Sequence, residues 1–345
     1  MKEFVLAAKR TIAFRDYEEP LLKSDEVRVR SIVSGIKHGT EMALYQGHTP
    51  FIEQTFDPEY RLFMHRNEAE GDEFYPTYLG SWLVGEVIEV GKDVTRFKVG
   101  DLVHGGLPHR PTNIITADKL YPLKDGMAPE TALFTDPTIF ALGAAHDAQI
   151  KVGDNVAVFG MGAIGLLALQ VVRLSGAERV FAIDLIDERL ALAEQFGADM
   201  VFNPQSCDAA LEIKNVTGKH GVDVAIDITG AYPALQTALR SIRPAGLVVT
   251  ASYYKGSQPI ELGAEWHHNR PTMISSMPVW GMPHRCYPLW DRERLQATAV
   301  RLLENDRLTT QPMIGARFKY KDAAEAYRLI DAHPERSVKT LLDYA

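Results

Sequence analysis

The sequence predicts an α/β protein in two parts, a β-rich N-terminal part followed by a doubly wound parallel sheet. Three observations carry this. From Val156 the chain reads VAVFG, MGAIG, an apolar run and GAERVFAID, which is strand, glycine turn, helix and strand. Between Gly80 and Val103 short valine-rich runs are punctuated by Gly85, Gly91 and Gly100, the pattern of strands joined by tight turns and bends. Beyond Asp184 helical and strand-like stretches alternate, which implies right-handed βαβ units and a parallel sheet.

Composition bounds the answer. The 345 residues are 46% hydrophobic and 24% charged, room for roughly two folded domains with real cores. A net charge of -8 argues against a nucleic-acid partner, whose phosphates must be neutralised. No apolar run reaches the roughly 18 residues of a membrane span. Lys9 and Arg10 interrupt any would-be signal core, so the expected compartment is the cytoplasm. Two cysteines, Cys207 and Cys286, make neither a disulfide framework nor a four-cysteine zinc lobe.

In chain order, Val27–Val33 alternates apolar and polar residues and reads as a strand. The motif Gly35 to Glu41 leads into a short helical piece ending at Tyr45. Residues 46 to 79 read as an irregular excursion with Pro50, Pro58, Pro76 and many aromatics. It either folds back over something or forms a satellite packing cluster. Residues 80 to 123 form a small barrel-like β unit. Ala128–Ala148 reads as one or two helices, interrupted around Asp136-Pro137. After Asp184 come a helix over 187–196, strands at MVFNP, Val222–Gly230, Gly246–Tyr254 and Pro271–Met277, helices over 292–304 and 321–332, and a last strand SVKTLLDY.

Gly160, Gly162 and Gly165 have the G-x-G-x-x-G spacing, and Asp184 lies 19 residues beyond the last of them. The first glycine permits the tight turn, the second lets a pyrophosphate approach, and the third lets helix and strand pack closely. The helix amide end faces the phosphates. Ala163 and Ile164 within the turn, and Thr229 and Ser252 on the fourth and fifth strands, complete the predicted cofactor set. Asp184 accepts bonds from ribose hydroxyls and repels a 2′-phosphate, so NAD is expected over NADP. Arg189, five residues on, is the counter-argument, since a nearby arginine can hold that phosphate.

These landmarks together resemble the medium-chain dehydrogenase/reductase superfamily, the zinc alcohol dehydrogenase-like group, over essentially the whole chain. The matching stretches are G-x-x-x-G-T-E at 35 to 41, VGEVIEVGKDVTRFKVGDLV at 84 to 103, DPTIFALGAAHDA at 136 to 148, VGDNVAVFGMGAIG, FGAD at 196 to 199 and VDVAIDITG. The resemblance implies a GroES-like catalytic domain over 1–125 and 281–345, and a Rossmann NAD-binding domain over 126–280. It implies hydride transfer, and it places Arg189 near the adenine side and Lys339 where the pyrophosphate is reached.

The departures carry as much information. In zinc-dependent members the catalytic ligands fall at the positions of His38, Ser81 and Asp136. The middle histidine is a serine here, and the glutamate beside it is Trp82. A catalytic zinc wants three protein ligands, so no metal is expected. The alternative keeps a zinc on His38, Asp136 and another histidine such as His65 or His104.

Without a metal a side chain must take the hydroxyl proton. The resemblance makes His38 the candidate acid/base, Asp136 its orienting partner, and Thr40 the hydroxyl that starts a proton relay. Ser81 and Trp82, with Trp280 and His284 from the aromatic-polar stretch 266–290, are the candidate substrate contacts. That stretch suits a polyhydroxylated ligand or a subunit interface. The expected function is NAD-dependent, zinc-independent oxidation of a secondary alcohol, or reduction of its ketone, in a sugar or polyol. The expected assembly is a homodimer or homotetramer. A quinone or enoyl reductase and a non-catalytic dinucleotide sensor remain as alternatives.

Overall fold

A computed structural model describes residues 2–66, 73–280 and 290–345, apart from the side chain of Trp280. The chain forms two compact units, Met1–Leu133 with Met313–Ala345, and Phe134–Pro312.

The first unit opens with a hairpin of β1 (Lys2–Ala8) and β2 (Thr11–Asp16). In β3 (Glu26–Gly35) alternate residues Val27, Val29, Ser31 and Val33 are buried, as a pleated strand with one inward face requires. Helix α1 (Thr40–Tyr45) follows. The stretch 46–79, expected to be irregular, holds a short hairpin of β4 (Gln54–Asp57) and β5 (Leu62–His65). Then come β6 (Trp82–Val90), β7 (Leu102–Gly105), β8 (Thr112–Thr116), β9 (Tyr121–Pro122) and α2 (Pro129–Ala132).

The second unit starts with α3 (Thr135–Asp147). The helix break falls at Leu133–Phe134, upstream of the expected Asp136-Pro137. Pro137 is the third residue of α3, where a backbone N–H has no helical acceptor to lose. Next come β10 (Asn155–Phe159), α4 (Ala163–Leu174), β11 (Arg179–Ile183), α5 (Asp187–Gln195), β12 (Met200–Phe202), α6 (Ala209–Val216), β13 (Val222–Asp227) and α7 (Tyr232–Ser241). They are followed by β14 (Ile242–Thr250), α8 (Glu265–Asn269), β15 (Thr272–Ser275) and α9 (Arg292–Glu304). The six strands form one parallel sheet in the order β12-β11-β10-β13-β14-β15. This is the doubly wound order, with its switch point between β10 and β13. Val156 to Phe159 are all buried, since helices cover both faces of such a sheet. α9 packs on α3, so the contact division groups residues up to Pro312 with this unit. The sequence reading placed the joins at 125/126 and 280/281.

The chain returns through β16 (Ile314–Lys319), α10 (Ala323–Ala332) and β17 (Lys339–Asp343) to the first unit. There a seven-stranded sheet runs β16-β17-β3-β6-β7-β9, and β8 also pairs with β3. β6 occupies one edge of β3, while β8 and β17 share the other. Among the described residues no helix is long and apolar enough to cross a membrane.

Candidate functional site

β10 delivers the chain to Gly160 at the switch point of the parallel sheet. Gly160 has φ +95°, a left-handed backbone that L side chains rarely adopt. A Cβ on Gly165 would collide with the Gly160 carbonyl, so α4 starts this close to the turn only because position 165 has no side chain. Gly162 differs. A Cβ there would meet no protein atom within 4 Å. Space is therefore open at the one glycine that the fingerprint assigns to an approaching pyrophosphate. The first bond into α4 is Leu166 N–H to the Gly162 carbonyl, 2.9 Å. The amides of Ala163, Ile164 and Gly165 precede it and have no helical acceptor, the arrangement that binds anions. The turn fits a dinucleotide.

Asp184 stands just past β11. Its Oδ2 accepts from Met161 N at 2.6 Å and its Oδ1 from Ile186 N at 2.9 Å. The acid is thus tied to the glycine turn, and each oxygen keeps further acceptor capacity. Arg189 lies half-buried in the first turn of α5. Thr229 is exposed just past β13, and its hydroxyl donates to Asp227 at 2.6 Å and accepts from Ala231 N at 3.0 Å. Ser252 follows β14, beside Gly230. The sequence reading missed Asp227, which is fully buried and takes bonds from the Thr229 amide, the Thr229 hydroxyl and the Tyr254 hydroxyl. Burial pushes its carboxyl upward, against the pull of those bonds. Burial and the neighbouring carboxyl also push the Tyr254 phenol up.

In the first unit, Nε2 of His38 accepts from Thr340 N at 3.2 Å and lies 3.2 Å from the Thr340 hydroxyl. An amide can only donate, so the neutral ring carries its proton on Nδ1. Thr40 is exposed at the first position of α1. Lys339 on β17 is 2% exposed, with its stem laid across Gly35, where a Cβ would clash with it. It is no solvated terminal lysine.

Ser81 is half-buried, and its Oγ has no hydrogen-bond partner among the described residues. The Trp82 indole is buried and donates to Nδ1 of His104 at 3.0 Å. His104 is fully buried, stacks on Tyr121, and is pushed down to about 4 by burial. Its ring is neutral, with Nδ1 committed to Trp82. His65 is exposed on β5.

A second buried cluster also escaped the sequence reading. Glu41 accepts from Lys37 N at 2.7 Å, from the Tyr327 hydroxyl, and from Nε2 of His109 at 3.2 Å. Nδ1 of His109 meets the Ser34 hydroxyl at 2.7 Å, and Ser34 meets the Tyr344 hydroxyl at 3.0 Å. Burial opposes ionisation of Glu41, but the His109 ring and the other donors outweigh it and hold the carboxyl below its ordinary range. The cluster joins α1, β3 and α10.

Asp136 is half-buried in the first turn of α3, whose N-cap is Phe134. The backbone of Trp280 ends a short 3-10 turn from Pro278. His284 lies outside the described residues. Among the described residues no three His, Cys, Asp or Glu side chains are grouped to hold a metal. Among the described residues the three positions of the zinc pattern hold His38, Ser81 and Asp136, and with a serine hydroxyl in the middle that set does not fit a three-ligand zinc.

Residues 163–292 match the family model described as zinc-binding dehydrogenase. The chain is 36% identical to the D-guloside 3-dehydrogenase of Escherichia coli (strain K12), over 98% of this chain and 99% of that one. It is 31% identical to the (R,R)-butanediol dehydrogenase of Bacillus subtilis (strain 168), over 76% and 78% of the two chains. The crystal structure of 2R,3R-butanediol dehydrogenase from Bacillus subtilis shares the fold, with a TM-score of 0.80 at 24% identity over 100% of this chain and 99% of that one. Galactitol-1-phosphate dehydrogenase from Escherichia coli does so with a TM-score of 0.77 at 23% identity over 99% and 100%. With relatives matching along its whole length and the doubly wound sheet in place, the chain belongs to the medium-chain dehydrogenase/reductase superfamily.

Proposed function

We propose that this dehydrogenase is NAD-dependent and zinc-independent, and that it acts on a secondary alcohol or the matching ketone of a sugar or polyol. The observation that carries the cofactor is Asp184, an acid tied to the glycine turn at the tip of the second strand of the doubly wound sheet. A carboxylate there accepts from ribose hydroxyls and repels a 2′-phosphate. The substrate class is supported by the relative that acts as a D-guloside 3-dehydrogenase, which matches nearly end to end. The absence of zinc is supported by Ser81 and by Trp82, whose indole is committed to His104.

Bound nicotinamide supplies the hydride acceptor. The amides of the 160–165 turn hold the pyrophosphate, Asp184 and Arg189 hold the adenosine end, and Thr229, Ser252 and Lys339 are further cofactor contacts. When the carbinol carbon gives up hydride, its hydroxyl gives up a proton to a base. His38 is that base in this reading, with Thr40 relaying the proton and Asp136 orienting the ring. Ser81, Trp82, Trp280 and His284 contact the substrate. We place the enzyme in the cytoplasm, as a homodimer or homotetramer.

One observation favours a second reading of His38. Its Nε2 lone pair is already used by Thr340 N, which makes the ring an anchor between the 35–41 motif and β17.

The test is turnover of a panel of glycosides, polyols and simple secondary alcohols with NAD and with NADP, on protein of measured metal content. NAD-linked oxidation of a sugar by metal-poor protein is the expected result. One tightly held zinc per chain, lost together with activity, would overturn the metal-free part. A clear preference for NADP would favour a quinone or enoyl reductase.

A further inference from the structure

The glycine turn and Asp184 account for one half of a dinucleotide site. A doubly wound sheet has two mononucleotide halves, related across the switch point. Here β10, β11 and β12 make the half that carries Asp184, and β13, β14 and β15 make the other. The adenosine end belongs to the first half, so the nicotinamide riboside end belongs to the second. The loops that follow β13 and β14 build the rim of that second half.

Asp227 is the hub of that rim. It ends β13 directly opposite Phe159, the residue before Gly160. Its side chain is fully buried, and all three of its bonds reach into the two rim loops. Oδ1 takes the Thr229 amide at 2.9 Å and the Thr229 hydroxyl at 2.6 Å, and Oδ2 takes the Tyr254 hydroxyl. Its own carbonyl accepts Ala251 N at 2.8 Å. The consequence falls on Thr229. With its hydroxyl bound to Asp227, its methyl is turned onto Gly160, where an added Cβ would lie 2.9 Å from Thr229 Cγ2. Gly230, with φ +65°, then packs against Ser252 and Tyr253 of the second loop. Tyr254 is held in turn by the ring of Tyr232, 5.2 Å away. One buried carboxyl thus sets the rotamer of Thr229 and the path of the loop after β14.

We propose that Asp227, working through Thr229 and Tyr254, is the positioning residue of the nicotinamide half of the cofactor site. It touches no ligand itself. It rests on the dinucleotide reading above, and it adds a residue and a half-site that the fingerprint does not contain. Its removal loosens the rim beyond β13 and β14 and leaves the Asp184 half in place, so the two ends of the cofactor respond differently.

The experiment measures dissociation constants of NADH and of AMP for the wild-type chain, Asp227→Asn and Thr229→Val. AMP carries only the adenosine end. Asparagine keeps the size of Asp227 but offers one acceptor oxygen where three donors converge. Valine keeps the Thr229 methyl and removes the hydroxyl that fixes it. The expected result is NADH binding weaker by about tenfold in Asp227→Asn and several-fold in Thr229→Val, with AMP binding within about twofold of wild type, as for a loss of one or two hydrogen bonds. Unchanged NADH binding in a folded Asp227→Asn would overturn the proposal. So would equal weakening of NADH and AMP, which marks a general structural role. If Asp227→Asn does not fold, Thr229→Val decides by the same two ligands. A wild-type chain that binds neither NADH nor AMP overturns the dinucleotide reading itself, a distinct failure.

Discussion

Trp82 donates its indole N–H to Nδ1 of His104 across 3.0 Å, inside the sheet of the first unit. A tryptophan stands where the zinc-dependent pattern has a glutamate, and it consumes the acceptor of a histidine that could otherwise serve as a ligand. Burial holds His104 neutral, its ring pushed down to about 4.

That shift makes stability depend on pH. An unfolded histidine titrates near 6.5, whereas folded His104 stays neutral down to about 4. As pH falls through this window only the unfolded state takes up a proton, so stability is full above about 6.5 and declines towards pH 4. The loss approaches about 3 kcal/mol at the bottom of the window. Urea unfolding at pH 7 and pH 5 checks this. His104→Gln should be less stable at pH 7 and show a flatter dependence on pH.

The glycines of the turn separate folding from binding. Gly162→Ala meets open space, so its melting temperature should stay within a degree or two of wild type while NADH binding weakens by tenfold or more. Gly165→Ala puts a methyl into the Gly160 carbonyl and should cost about 1–3 kcal/mol in unfolding experiments, together with cofactor binding. Equal effects of the two substitutions on melting would contradict this assignment.

Asp184→Ala removes the carboxylate that caps Met161 N and Ile186 N and would meet the ribose. Bonds to a charged group contribute about 1.5–3 kcal/mol each. The kcat/KM for NAD should fall by about 10- to 100-fold and that for NADP should rise or hold. Preference measured with both cofactors on one substrate reports the outcome.

His38→Gln decides between the two readings of that ring. Glutamine can still accept from Thr340 N, and it cannot titrate. A general acid/base contributes about 10²- to 10⁴-fold, so kcat should drop by at least about a hundredfold, and the limb of the pH–rate profile that reports the histidine should vanish. Retention of full rate assigns His38 to anchoring β17.

Much of this molecule is legible in the linear chain because its signals are local. Strand, glycine turn, helix and acid lie within Val156 to Asp184, and each constrains only its neighbours. The buried runs of β10, β11 and β13 and the helix over 292–304 follow from periodicity, and the structure has them where expected. Pro137 misplaced a helix break because a proline reads as an interruption wherever it falls, while at the third position of a helix it costs no hydrogen bond. The hairpin of β4 and β5 was hidden by flanking prolines and charges.

The sequence by itself determined the family, the order of the two units and the place of a nucleotide turn, since glycine spacing and strand alternation are fixed by backbone geometry alone. Tertiary structure decided which polar groups are buried together. Asp227 meets Tyr254, Trp82 meets His104, and Glu41 meets His109 and Tyr327 across tens to hundreds of residues. A buried polar group must find a partner or bear the full cost of lost water, and only the folded chain shows which partner it found. Those pairings join residues that the linear motifs leave far apart.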